Sequence, residues 1–213
     1  DCKVVDGGTK ILATSSRSWA VLLDIATKEL LWWSYSSKNA HSADLLPGGK
    51  IAVACSSSES GDGNKVQIFD VKESNKELFS TPLESAHGVV WNETDQRLYA
   101  IGGSKLNVYT LSGSSTNSPT LTLEKTIDTS SRVTGLHDLT LVNPTTLLIA
   151  GRKAALYDLT KNTFTPLPHF SESIGIKSVN YNHTTGDCWY TDATDPNNTA
   201  GYDWATKNIF YTS

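Results

Sequence analysis

Residues 41–56 read HSADLLPGGKIAVACS. A short apolar run, a Pro-Gly-Gly turn and a second run of small and β-branched residues make a hairpin signal, because Pro and Gly supply the turn backbone and the flanking runs suit strands. Residues 1–16, DCKVVDGGTKILATSS, align with it without a gap: Gly8 meets Gly48, Lys10 meets Lys50 and Ile11 meets Ile51. HGVVWNETDQRLYAIGG (87–103), HDLTLVNPTTLLIAGR (137–152) and KSVNYNHTTGDCWYTDA (177–193) are further copies once a residue is inserted in the first turn. Each reads as strand, tight turn, strand.

A second module follows each copy, as in AVLLDIATKELLWWSY (20–35), VQIFDVKESNKELFST (66–81), AALYDLTKNTFTPLP (154–168) and AGYDWATKNIFYT (200–212). Asp24, Asp70, Asp158 and Asp203 close its apolar run and are expected to satisfy backbone donors of the hairpin turn. Four strands per unit and a period of roughly 43 residues are the marks of propeller blades. The expected fold is an all-β, five-bladed β-propeller of four-stranded antiparallel blades. It forms one domain over 1–213, with blades at 1–37, 38–84, 85–131, 132–170 and 171–213. The copies begin and end in phase, so no blade is expected to exchange a strand between the termini.

Apolar residues make up 38% of the 213-residue chain and charged residues 19%, values of a water-soluble globular protein. No apolar run approaches membrane-spanning length. A net charge of −4 without a basic stripe excludes nucleic acid as the partner. The chain has no methionine, and sequons stand at Asn92, Asn182 and Asn197 in segments read as loops. A processed, secreted, extracellular glycoprotein is the expectation, acting as a monomer. Three cysteines leave one unpaired if a disulfide forms, and Cys2–Cys55 is the pairing that blade geometry favours over one involving Cys188.

In a propeller the first strand of each blade lines the central channel. Asp1, His41, His87, His137 and Lys177 open those strands, and three of the five are histidines from consecutive blades. Two bland readings compete: the structural histidine of WD-type repeats, from whose place these are displaced toward the turn, and a solvated polar channel. The sharper reading is a divalent transition metal (Mn, Zn, Fe, Cu or Ni) held by His41, His87 and His137, since neutral imidazole is its commonest protein ligand and three ligands leave open positions for chemistry. Arg17, Lys105 and Arg152, in the turns between second and third strands, add positive charge at the same mouth. Lys38, Asn39 and Arg132 add to it from the entering loops. Trp19, Trp91 and Tyr181 are candidate stacking faces for a sugar.

Over its whole length the chain resembles small secreted β-propeller families. The three-histidine arrangement is similar to the metal centre of the propeller-type oligogalacturonate lyases. Those enzymes have more blades, and their fourth ligand has no counterpart here, so the resemblance speaks for a metal more than for a substrate. The reading that joins these groups is a carbohydrate-active enzyme, a lyase on acidic, uronate-containing sugars. The metal polarises a carboxylate, Arg152 and Arg17 hold the acidic sugar, and Lys177 or Tyr181 serves as acid or base. A propeller lectin and a protein-interaction scaffold are the alternatives. A lectin of this fold is expected to repeat its site in every blade, and no such repeat is seen.

Overall fold

The computed structural model describes the chain apart from residues 36–37, 57–60, 171–174, 198–199 and 201–204, so Asp203 lies outside the described residues. Among the described residues nineteen strands form five antiparallel sheets, each built from strands consecutive in sequence. They are the blades of an all-β propeller. Blade 1 holds β1 (Cys2–Val5), β2 (Lys10–Ser15), β3 (Trp19–Asp24) and β4 (Leu30–Ser34); blade 2 holds β5 (Ala40–Leu46), β6 (Lys50–Cys55), β7 (Lys65–Asp70) and β8 (Glu73–Pro82). Blade 3 holds β9 (Ala86–Asn92), β10 (Arg97–Gly102), β11 (Lys105–Ser112) and β12 (Thr120–Asp128). Blade 4 holds β13 (Asp138–Asn143), β14 (Thr146–Ala150), β15 (Ala154–Asp158) and β16 (Thr163–Pro166), and in blade 5 the described strands are β17 (Ile176–Tyr181), β18 (Cys188–Asp192) and β19 (Phe210–Thr212). Helical structure among the described residues is limited to three short 3-10 turns, and no helix there is long and apolar enough to cross a membrane.

The chain divides into two compact units, Asp1–Ile127 and Asp128–Ser213. In the first, Leu12, Ala20, Leu22 and Trp32 of blade 1 pack with Ile51, Val53, Cys55 and Phe69 of blade 2 in one buried cluster. A second cluster joins Ala52, Ala54, Val66 and Ile68 of blade 2 to Val89, Trp91, Leu98 and Ala100 of blade 3. Strand β6 is buried at every position because its two faces serve the two clusters, which is why its sequence, KIAVAC, lacks the polar alternation of a half-exposed strand. In the second unit Leu148, Ala150 and Ala154 of blade 4 pack with Ile176, Val179 and Cys188 of blade 5.

The hairpin aspartates work as their turn chemistry requires. Asp24 accepts hydrogen bonds from the N–H groups of Ala26 and Thr27, both at 2.9 Å, and Asp158 accepts from Thr160 and Lys161, also at 2.9 Å. These donors hold both carboxyls below the usual range, led by the Thr27 N–H for Asp24 and the Thr160 hydroxyl for Asp158. Asp70 adds a buried ion pair with Lys50 at 2.8 Å.

Two expectations need correction. Cys2, Cys55 and Cys188 are all thiols. Cys55 is fully buried and donates to Gln67 Oε1 at 3.0 Å, so its side chain serves the blade interior instead of reaching toward Cys2. Asn92 is not in a loop: it ends β9, is fully buried, and accepts the Thr94 N–H at 3.0 Å as the first residue of the hairpin turn. Asn182 and Asn197 are exposed.

Candidate functional site

Three of the residues that open the inner strands share a backbone device. Strand β5 pairs Ala40 with Cys55 and Ser42 with Ala54, leaving His41 as the extra residue of a β-bulge. His87 is skipped in the same way between Ala86 and Gly88, and Lys177 between Ile176 and Ser178. His137 lies one residue before β13, its N–H bonded to Ala150 O at 2.9 Å. A bulge turns one side chain out of the ladder's alternation, and such bulges are common beside functional sites. Two residues before each histidine the backbone is left-handed: Asn39 at φ 48°, Ser85 at φ 49° and Gly135 at φ 59°.

Asp1 does not belong to this set. Cys2 pairs with Ala13, whereas Ala43 pairs with the equivalent Val53, so Asp1 corresponds to Ser42. The first turn of blade 1 runs from Asp6 to Thr9, one residue more than Pro47–Gly49 in blade 2. The gap-free alignment therefore holds for the second strands and slips by one in the first.

In the first unit the His41 and His87 rings stack, with centroids 4.1 Å apart and planes at 29°. His87 Nδ1 lies 2.7 Å from Ser85 O. A carbonyl only accepts, so Nδ1 carries the proton; in the neutral ring this leaves the lone pair on Nε2, the tautomer that suits metal ligation. Beneath the pair a polar seam stitches the inner strands. Lys3 Nζ donates to Val89 O at 2.5 Å and Ser42 Oγ at 3.1 Å, Ser42 Oγ donates to Asp1 at 2.8 Å, and Asp44 accepts the Trp91 N–H at 2.9 Å.

Loss of water pushes the Asp44 carboxyl above its ordinary pKa, against the Lys3 charge and the N–H donors of Trp91 and Leu45. For a carboxyl raised in the folded state, the ionised form costs stability above the native pKa, and stability rises as pH falls through that value toward the unfolded one. Urea midpoints of wild type and Asp44→Asn at neutral and mildly acidic pH test this. Wild type is expected to gain relative to the variant on acidification, and an unchanged difference would contradict the account.

In the second unit Lys177 Nζ stands 2.8 Å from His137 Nε2. Asp138, next to His137, accepts the Val179 N–H at 2.6 Å and so ties the two inner strands together. Arg152 is exposed, and its stem lies over Gly135, Cγ 3.5 Å from where a Cβ would stand. The Arg152 N–H reaches Thr134 O at 2.8 Å. Gly151 allows this closeness: a Cβ there would overlap the carbonyl oxygens of Gly135 and Thr134. His137, Lys177 and Arg152 thus gather at one end of blades 4 and 5.

Other expected residues fall elsewhere. Tyr181 ends β17, about 13 Å of strand from Lys177, and packs on the core beside Cys188. Trp91 is 9% exposed and donates to Glu93 at 2.6 Å. Arg17 and Lys105 are exposed in or beside the turns between second and third strands, and Arg132 is exposed before β13. Trp19 is 44% exposed and meets two rings that sequence reasoning passed over, Trp33 and Tyr35. Among the described residues no group of three His, Cys, Asp or Glu side chains is placed to hold a metal ion. The structure brings His41 to His87 and His137 to Lys177.

Solved structures similar to this chain include the hydrazine synthase of Kuenenia stuttgartiensis, with TM-score 0.63 and 14% identity over 87% of this chain and 53% of that one. The C-terminal WD40 domain of Sif2 matches with TM-score 0.60 and 10% identity over 90% of this chain and 52% of that one. The chain spans about half the length of these structures, and at such identities the likeness is one of fold. No curated protein matches. The model of the family described as "Family of unknown function (DUF6528)" matches residues 1–189, and the chain belongs to that family.

Proposed function

We propose that this propeller acts on an acidic saccharide at the inner-strand starts of blades 4 and 5, as a lyase that eliminates across a uronate residue. The observation that carries the reading is the contact of Lys177 with His137 at 2.8 Å, with the Arg152 backbone N–H bonded to Thr134 O and its stem lying over Gly135, in the segment that leads into His137. A guanidinium forks onto a carboxylate, so Arg152 is assigned the uronate carboxyl group. Held there, the carbon next to the carboxyl becomes more acidic, because the cation stabilises the enolate-like charge that forms when its proton leaves.

Lys177 is the assigned base. Its amine takes the C5 proton, C4=C5 forms, and the C4–O bond breaks with its electron pair on the leaving oxygen, which is then protonated. His137 is a positioning residue: Nε2 accepts the Lys177 hydrogen bond and gives the pair a second place for a proton. Tyr181 has no part in this assignment. The exposed sequon at Asn182 fits the proposed extracellular setting.

His41 and His87 are proposed to hold a divalent transition metal. Support comes from the Ser85 carbonyl, which selects the His87 tautomer with a lone pair on Nε2. Elemental analysis of purified protein, with and without chelator, tests this part. Metal is expected in wild type and lost from His41→Ala and His87→Ala, with the fold retained. Equal metal content in all three proteins would overturn the assignment. The elimination itself is tested by the absorbance of the unsaturated product formed from oligogalacturonate.

A further inference from the structure

The inner strands do not account for the aromatic cluster on the outer strands of blade 1. Trp19 and Tyr35 are 44% and 47% exposed, unusual for rings of this size. Their centroids lie 4.7 Å apart, and Trp33 stands 5.8 Å from Trp19 on the same face. The neighbouring Trp32 points the other way and is fully buried, so the WW pair divides between core and surface by strand alternation.

The cluster is fixed before anything binds. The Tyr35 N–H is held by Asn75 Oδ1 at 2.8 Å and the Trp33 N–H by Ser74 Oγ at 3.3 Å, so the edge of β4 is bound to β8 of the next blade. It is also cationic. Lys38 Nζ sits 5.3 Å from the Tyr35 ring centroid, and exposed Arg17 precedes Trp19 by two residues in the β2–β3 turn. The antiparallel pairing puts the start of β3 and the end of β4 at the same blade end as the β2–β3 turn. Lys38 lies in the short connection that runs on to His41.

We infer that Trp19, Trp33 and Tyr35, with Lys38 and Arg17, form a subsite for an acidic saccharide. Aromatic faces take the C–H faces of sugar rings, and the two cations match carboxylates along the chain. Neutral sugars would use the rings alone. The inference deepens the carbohydrate reading above and rests on it.

The experiment is a tryptophan-fluorescence titration of the full chain with galacturonate hexamer and with cellohexaose, alongside sedimentation velocity. Trp19→Ala is expected to weaken hexagalacturonate binding about tenfold or more, and Trp19→Phe by much less. Lys38→Ala should reduce the preference for the acidic hexamer over the neutral one. If wild type binds the hexamer and Trp19→Ala binds it equally, the subsite is overturned and the carbohydrate reading stands. If wild type binds neither sugar, both fall. If sedimentation shows that Trp19→Ala turns a dimer into a monomer, the cluster is a contact between copies and the subsite is overturned.

Discussion

Lys177→Ala should lower the rate of uronate elimination by about 10²–10⁴-fold, the usual contribution of a positioned general base, while leaving unfolding close to that of wild type. The side chain projects from a β-bulge, where its removal opens no core cavity. Lys177→Arg separates charge from proton transfer. A guanidinium keeps the positive charge but does not give up its proton in proteins, so this variant should retain KM within a few-fold and still lose kcat. His137→Ala should lower kcat less than Lys177→Ala and change the pH profile, since it removes the partner that shares the proton and leaves the base in place. Full activity in Lys177→Ala would remove the lysine from the chemistry and the lyase reading with it.

Gly151→Ala should destabilise the protein by about 3 kcal/mol, toward the upper end for overpacking, because the added methyl meets rigid backbone. The atoms it would strike are the carbonyl oxygens of Gly135 and Thr134. The approach is held from both sides: Thr134 O accepts the Arg152 N–H at 2.8 Å, and the Gly151 N–H is committed to Lys153 O at 2.9 Å. Relief would have to come from moving the segment that leads into His137, so activity should fall even at temperatures where the variant stays folded. Urea unfolding followed by tryptophan fluorescence gives the stability, and a product assay well below the midpoint gives the second effect. A variant within about 0.5 kcal/mol of wild type, the ordinary range for a neutral surface change, would mean that this close approach is not required.

The blades were legible because the repeat has a period and each turn has its own chemistry. The bulges were not. A bulge is a two-against-one mismatch between strands, and a single strand's sequence does not record its partner's count. The same blindness misplaced Asp1, since the extra turn residue at Thr9 shows only in the register of β1 on β2. Recurrence did point to His41, His87, His137 and Lys177 as one class of position. Which pairs they form depends on ring orientation and on bonds such as that between His87 and Ser85 O, which involve backbone groups that every residue carries.

The aromatic subsite was half visible. Trp19 was a candidate, but Trp33 and Tyr35 sit in LLWWSY, which reads as a core strand, and the face each ring takes is set by β4 packing on one side only. Asn92 misled for a related reason: the turn chemistry that makes Asn suitable there also buries its side chain under the hairpin, where a sequon motif looks the same as on an open loop.

The central claim is that His137, Lys177 and Arg152, at the inner-strand starts of blades 4 and 5, meet the substrate. Ring-¹⁵N spectra of the histidines during titration with galacturonate trimer test it most directly, because His169 and His183 provide internal references in the same sample. The account predicts saturable shifts of the His137 ring nitrogens, lost in Arg152→Ala, with His183 unmoved. Ring signals of His137 that stay fixed to the highest sugar concentration, in a protein that remains folded, would contradict it.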